Sequence, residues 1–264
     1  MISIAMGYKN RKDLLLRTLE SFRKSAIKGY EVIIVDDASS DDQRLEDILD
    51  KYSEIKLTRV EPEDKYWNNP CIAYNLAFDK CSFKTVIIQN PECYHHGDVL
   101  SLALANTNRS NYVLFPVYAL NRDETENNFE YISNLSEQDL LRYLSPVPWS
   151  GREGDSGWYN HSMYNRRGLH FCSAIHLRTL KDLRGFDERF AEGFSFEDDE
   201  FIHRITMNGY KIQFLNDPVV FHQWHYSSHI TNNPKFYELF VENRNLLSKL
   251  KNRQLPLWGS YENI

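Results

Sequence analysis

Three acidic groupings in this 264-residue sequence stand where apolar runs stop or a helix begins. Asp36 and Asp37 follow "EVIIV", Asn90-Pro91-Glu92 follows "TVIIQ", and Glu197 and Asp198 open "EDDEFIHRI". A carboxylate at the carboxyl end of a buried strand can accept hydrogen bonds from a base or ribose. Asn and Glu two residues apart can direct oxygens at one hard divalent cation, which then bridges phosphates. An inward carboxylate in the first turn of a helix is a candidate general base whose pKa burial can tune. Each grouping also has a plainer reading: a turn with Asp41 or Asp42 as N-cap, a proline turn, and an acidic first turn facing the helix dipole.

Histidines supply further candidates. His222 and His225 in "HQWH" form a plausible ligand pair if both point the same way from a strand, whereas His95 and His96, after Glu92, read as surface loop residues. On the helix that Asp198 opens, a 100° step puts Asp198 on one face with Phe201, Ile202 and Ile205. Glu200 falls four residues before Arg204, a spacing read as a surface ion pair.

The elements that must position these groups alternate. Apolar strands are expected at Ile2–Met6, Glu31–Val35, Ile55–Val60, Thr85–Ile88 and Tyr112–Tyr118. Helices are expected at Lys12–Lys24, around Leu45–Tyr52, and at Cys71–Asp79 and Asp98–Ala105. Continuous apolar strands separated by helices predict a mostly parallel sheet covered on both faces, with ligands at its carboxyl ends. Beyond Asn121 the pattern loosens into a long Gly/Pro stretch over 145–168, which reads as a functional loop. Strands at Leu169–His176, Lys211–Leu215 and Val219–His222 follow, with helices at Asp198–Met207 and Phe236–Leu250.

Bulk properties narrow the class. A net charge of −6, with no Lys/Arg run, argues against a nucleic-acid partner. The four cysteines show no metal-ligand or disulfide spacing. The N-terminus is too short in apolar residues for a signal peptide, and no stretch approaches the ~20 apolar residues of a membrane span, so a soluble, cytoplasmic protein is expected.

Six segments in order resemble those of family-2 glycosyltransferases with the GT-A fold. "ISIAMGYKNRKDLLLRTLESF" is similar to the opening strand and helix, and "EVIIVDDASSDD" to "VDDGSxD". "NNPCIAYNLAF" resembles the "GxxxARNxG" helix, and "IIQNPEC" resembles "LLxPDx", with Asn90-Pro91-Glu92 in the place of DxD. "LRGFDERFAEGFSFEDDEFIHRI" is similar to "GGFDExF…EDxDLxxR", and "VVFHQWH" to the late strand bearing a metal-site histidine. Two departures stand out: Asn90 replaces the leading acid of DxD, and Tyr74 replaces the helix arginine.

The resemblance implies an α/β GT-A fold, Rossmann-like, with a mixed, mostly parallel sheet flanked by helices in a single domain. Residues 1–120 would form a nucleotide-sugar half and 121–232 an acceptor half, with 233–264 a C-terminal helix and tail. It implies an inverting, hexosyltransferase-like enzyme of polysaccharide or glycan biosynthesis, moving a sugar from a nucleotide-diphospho-sugar, UDP-type favoured, to a hydroxyl of a glycan or glycoconjugate. A sugar nucleotidyltransferase or a non-catalytic carbohydrate-binding protein is the alternative, although the former needs a Gly-rich loop that "MGYKNRKD" lacks. Asp198 would be the catalytic base. Met6, Tyr8, Arg11, Asp37, Asn69, Asn75 and Asn90 would bind the nucleotide sugar, Tyr8 stacking on the base and Asp37 accepting its imide hydrogen. Glu92, Asn90 and His222 would hold Mn²⁺ or Mg²⁺. Trp158, Arg166, Arg167 and Glu197 would face the acceptor or phosphate, with Tyr159 and His161 helping to shape that site.

Overall fold

The computed structural model describes residues 1–152, 154–226 and 233–257. Its main sheet has seven strands in the order β10-β6-β9-β4-β1-β2-β3. These are β1 (Ile2–Tyr8), β2 (Tyr30–Asp37), β3 (Ile55–Val60), β4 (Thr85–Gln89), β6 (Asn111–Leu114), β9 (Cys172–His176) and β10 (Lys211–Phe214). All neighbours pair parallel except β9, which runs antiparallel between β4 and β6. The carboxyl ends of β1, β2 and β4 therefore share one edge, and the acidic turns after β2 and β4 lie along it.

Side-chain alternation sorts the core into two layers. Ile2, Ile4, Met6, Val32 and Ile34 pack against α1 (Lys12–Arg23) and α3 (Val99–Asn106) on one face. Ala5, Ile33, Val35, Val86 and Ile88 pack against α2 (Cys71–Asp79), α7 (Leu177–Asp182) and α8 (Glu197–Met207) on the other. Strands buried on both faces explain the unbroken apolar runs in the sequence.

A second, four-stranded sheet, β5-β11-β7-β8, covers the edge that carries the site. It is built from β5 (Cys93–His96), β7 (Val117–Ala119), β8 (Gly157–Asn160) and β11 (Val219–His222). Three expectations are corrected here. The strand read over Tyr112–Tyr118 is two strands in two sheets, because Pro116 has no N–H to continue the first ladder. The helix read around Leu45–Tyr52 is only tight 3₁₀ turns at Asp41–Gln43 and Glu46–Ile48, from which Leu45, Ile48 and Tyr52 still reach the core. The long loop over 145–168 contains β8, which pairs with β7.

Short helices α4 (Arg122–Glu126), α5 (Phe129–Ser133) and α6 (Glu137–Tyr143) flank this second sheet. The final helix α9 (Phe236–Lys251) packs on the loop before α8: Asn243 donates to Phe190 O and Ser195 O, and the Phe196 and Phe240 rings lie 4.8 Å apart. It therefore buttresses the site helix. The tail beyond 257 lies outside the described residues. No helix among those residues is long and apolar enough to cross a membrane.

Candidate active site

Glu92 is fully buried where β4 turns into β5. Its Oε1 lies 3.0 Å from His222 Nε2, 3.4 Å from His225 Nε2 and 3.2 Å from the Asn90 amide nitrogen. Arg11 Nη1 is 3.0 Å from the other oxygen, Oε2. Burial alone would raise this carboxyl, yet Arg11 and the two histidines hold it well below the usual carboxylate range. Burial, aided by Arg11, lowers His225 and leaves its imidazole neutral, as a ligand must be.

The residues fit a divalent cation. Ligand atoms of Glu92, His222 and His225 all lie within 4.8 Å of one another, a mixed oxygen–nitrogen set of the kind that binds divalent metal ions. Asn90 differs from expectation: its Oδ1 accepts from Tyr74 Oη at 2.8 Å while its amide nitrogen faces Glu92. It therefore braces Glu92 and does not offer its oxygen to the same centre. The two departures from the family motifs, Asn90 and Tyr74, thus touch one another through a neutral hydrogen bond.

The pairing of the histidines has a different cause from the one expected. His225 is three residues beyond His222, a spacing that would alternate on a strand, but β11 ends at His222 and the chain turns so that both rings reach Glu92. His95 is not a surface residue. It is buried on β5, bonded to Gln89 Oε1 at 2.7 Å, and burial pushes its pKa down to about 3. His96 is half-buried, against Leu135 O.

Asp198 stands in the first turn of α8, on the wall of a cleft of about 460 Å³ that Trp149, Tyr159, Arg167, Phe171 and Asp199 also line. The chain enters this helix through left-handed backbone at Ser195 and Phe196, which turns the first carboxylates inward. His170, just before β9, donates both its main-chain N–H (3.2 Å) and its imidazole Nδ1 to Asp198 Oδ1. Burial opposes the imidazolium, but Asp198 outweighs it, and the His170 pKa is raised. Glu197 is also buried and takes a 2.5 Å hydrogen bond from Asn69, whose own Oδ1 caps α2 at Cys71 N. Burial, reinforced by the adjacent Asp198 charge, pushes Glu197 up to about 7.

Named contacts join the two carboxylate centres. Asp198 bonds His170, the His170 ring stands 4.9 Å edge-on from Tyr74, and Tyr74 bonds Asn90, which bonds Glu92. Phe171 and Tyr159 line the cleft on one side and press their rings on His222 on the other, at 5.2 and 5.0 Å. Asp37 occupies the same sheet edge but does not line this cleft. It accepts from Lys65 Nζ (2.6 Å) and Trp67 Nε1 (2.8 Å). Neither Asp41 nor Asp42 is an N-cap: that position falls on Ser40, without a side-chain cap bond.

Several expected residues serve the fold instead. Tyr8 is fully buried with its hydroxyl on Gln43 O, leaving no ring face for a base, and Met6 is buried in the same core layer. Asn75 faces away from the cleft and staples α2 to Phe186 and Glu188. Trp158 fills the core of the second sheet, and its neighbour Tyr159 lines the cleft. His161 is buried, with Nδ1 accepting from Met163 N at 3.0 Å. Arg166 caps Ser162 O and lies over Phe214, while Arg167 does line the cleft, 3.6 Å from Asp199. Sequence reasoning missed His170 and Trp149. Neither carries a spacing signal, since each meets its partners only through the tertiary fold.

The fold is that of the GT-A glycosyltransferases. The sequence model of Glycosyl transferase family 2 matches residues 3–168, more than half of the chain, and the protein belongs to that family. The amylovoran biosynthesis glycosyltransferase AmsB of Erwinia amylovora is 29% identical over 105 residues, 39% of this chain and 34% of AmsB. The match thus spans about a third of that relative. Among solved structures, S. aureus TarS with UDP-GlcNAc aligns at a TM-score of 0.62 and 18% identity, over 96% of this chain and 72% of that one. GalNAc-T7 with UDP, GalNAc and Mn²⁺ gives 0.62 at 16% identity, covering 95% and 48%. The mannosyltransferase PcManGT of Pyrobaculum calidifontis with GDP-Man and Mn²⁺ gives 0.54 at 14%, covering 98% and 73%. The family match stops before Asp198 and His222, so their roles rest on geometry.

Proposed function

We propose that the protein transfers one sugar, with inversion, from a UDP-type nucleotide sugar to a hydroxyl of a glycan or glycoconjugate. The observation that carries this reading is the placement of Asp198. It lines the cleft with Oδ1 fixed by His170, and Oδ2 takes no hydrogen bond from the described residues.

Asp198 Oδ2 takes the proton of the acceptor hydroxyl as that oxygen attacks the anomeric carbon from the face opposite the leaving group. The new carbon–oxygen bond forms as the bond to the nucleoside diphosphate breaks, and its electron pair leaves with the diphosphate. Glu92, His222 and His225 would hold a divalent cation, which would supply Lewis-acid stabilisation of that leaving charge. Arg11, already paired with Glu92, adds a fixed positive charge beside it. Asp37 keeps lone pairs for the imide N–H of a uracil base while Lys65 and Trp67 hold its carboxylate in place. The UDP bound by TarS and GalNAc-T7 supports that donor class, and the Mn²⁺ in GalNAc-T7 and PcManGT supports the cation.

Release of nucleoside diphosphate from UDP-, GDP- and dTDP-sugars, with and without Mn²⁺ and with glycan acceptors, tests the proposal. The expected result is Mn²⁺-stimulated UDP release that Asp198→Asn lowers about 10²- to 10⁴-fold. Turnover undiminished in Asp198→Asn would remove the base assignment, and turnover of GDP-sugars alone would remove the donor assignment.

A further inference from the structure

The cleft in front of Asp198 has one aromatic wall. Tyr159 stacks on Phe171 at 4.3 Å and 22°, and Trp149 lies against Tyr159 at 4.7 Å and 53°. All three line the cleft. Trp149 and Tyr159 are only part-buried, so they retain ring surface to offer. Trp149 is also held in place by the backbone: its N–H donates to Trp158 O at 3.0 Å, and Trp158 N–H donates back to Val147 O. Gly157 permits that approach. A Cβ there would stand 2.8 Å from Trp149 N and Cα, and its φ of +159° already suits glycine. The ring is thus presented from a braced segment.

The charges around the cleft are spent on one another. Arg167 faces Asp199 at 3.6 Å and His170 is bonded to Asp198, while Glu197 adds a further carboxyl. No cation lining the cleft among the described residues lacks a carboxylate partner. An anionic ligand would compete with Asp199 for Arg167 or approach uncompensated carboxylates. An uncharged sugar meets no such cost, and the C–H face of a pyranose suits an aromatic surface.

We propose that Trp149 and Tyr159 form a stacking subsite for an uncharged pyranose, the acceptor residue whose hydroxyl is presented to Asp198. This deepens the transferase reading and rests on it for the word acceptor. The subsite itself is a binding claim that stands apart from turnover.

The test therefore measures binding without a donor. Saturation-transfer NMR would follow neutral methyl hexosides and the matching methyl hexuronides on the wild type, Trp149→Ala and Trp149→Phe. At least one neutral glycoside should bind the wild type, weaken about tenfold in Trp149→Ala and recover most of that loss in Trp149→Phe. Its hexuronide should bind at least about tenfold more weakly than the neutral sugar. A hexuronide that binds as well as its neutral partner, a Trp149→Ala variant that binds like wild type, or a wild type that binds no neutral glycoside would each overturn the subsite. Repeating the titration with UDP and Mn²⁺ and then with the intact nucleotide sugar separates the two sugars. Displacement of the glycoside by the nucleotide sugar but not by UDP would mean that the aromatic wall holds the donor's sugar, and would overturn the acceptor assignment. Failure of the wild type to release nucleoside diphosphate is a separate result, bearing on the transferase reading alone.

Discussion

His170 sends both of its nitrogen donors on this side, the main-chain N–H at 3.2 Å and imidazole Nδ1, to a single oxygen of Asp198, Oδ1. The carboxylate is thereby fixed in rotation with Oδ2 left for an incoming hydroxyl. In the proposed mechanism His170 is a positioning residue, because it touches Asp198 and not the reacting atoms. His170→Ala should lower kcat about 10- to 100-fold with little change in the donor KM, since the main-chain donor and the binding contacts remain. His170→Asn places an amide N–H close to the position of Nδ1 and should recover part of the loss. Equal losses in kcat for Ala and Asn, or a KM that rises as kcat falls, would mean that His170 only supports the fold.

In the proposed mechanism Asp198 bears the proton transfer. Its replacement by Asn keeps the acceptor for His170 but removes the base, and transfer should fall about 10²- to 10⁴-fold. Nucleotide binding, read as the rise in Tm that UDP and Mn²⁺ produce, should persist, because Glu92, Arg11 and Asp37 are untouched. Loss of the UDP-induced shift would show that the substitution had disturbed the pocket and not the chemistry alone.

Much of this arrangement was legible in the sequence, for identifiable reasons. Ile55–Val60, Cys71–Asp79 and Val219–His222 fall on the expected boundaries because apolar runs meet turn residues at both ends. Glu92 and His222 were locatable because they close strand-like runs, and Asp198 because it opens a helix. The second sheet as a unit was not. Cys93–His96 carries two histidines and no apolar run, yet the strand is largely buried, with His95 Nε2 bonded to Gln89. Tyr8 and Trp158 show the converse: an aromatic after a strand and one in a long Gly/Pro stretch look available in sequence, but the fold encloses both. The His170–Asp198 contact joins residues 28 apart in the chain, and only the docking of α8 beside β9 creates it.

The Glu200–Arg204 pair keeps its expected i,i+4 geometry but not its expected exposure. Both side chains are fully buried, with Nε and Nη2 of Arg204 on the two Glu200 oxygens at 2.9 and 2.6 Å. Arg204 Nη1 also donates to the carbonyls of Leu183 and Gly185. Glu200→Ala would leave a buried guanidinium without its counter-charge, at a cost of about 3–5 kcal/mol. Urea unfolding should show this loss, and the double variant with Arg204→Met should recover a good part of it. A loss below about 1 kcal/mol, as surface pairs give, would contradict the buried assignment.

Cation binding should register as stability. Wild-type Tm should rise with added Mn²⁺ and fall back on chelation, since a ligand that binds only the folded state stabilises it. Glu92→Ala should abolish the rise and His225→Ala should reduce it. Asn90→Ala should have the smaller effect of a lost brace. An Mn²⁺-dependent rise unchanged in Glu92→Ala would place the ion elsewhere.

Glu197 provides a pH signature with a definite sign. Burial and the Asp198 charge raise its folded-state pKa to about 7, above the ordinary value of 4.5. A carboxyl raised in the folded state contributes stability below the unfolded pKa, and that contribution is lost as pH climbs through the folded one. The wild type should therefore lose stability between about pH 4.5 and 7 through this group. Glu197→Gln keeps an oxygen for the Asn69 amide but cannot ionise, so it should escape that loss. The difference in Tm, Gln variant minus wild type, should become more positive from pH 5 to pH 8, by about 2–4 °C for each kcal/mol involved. Because His170 and Glu197 act on one another's charge, the comparison is made in a His170→Asn background. A Tm difference that stays constant across the range would show that Glu197 is ionised throughout, and that the carboxyl beside Asp198 has the pKa of an ordinary glutamate.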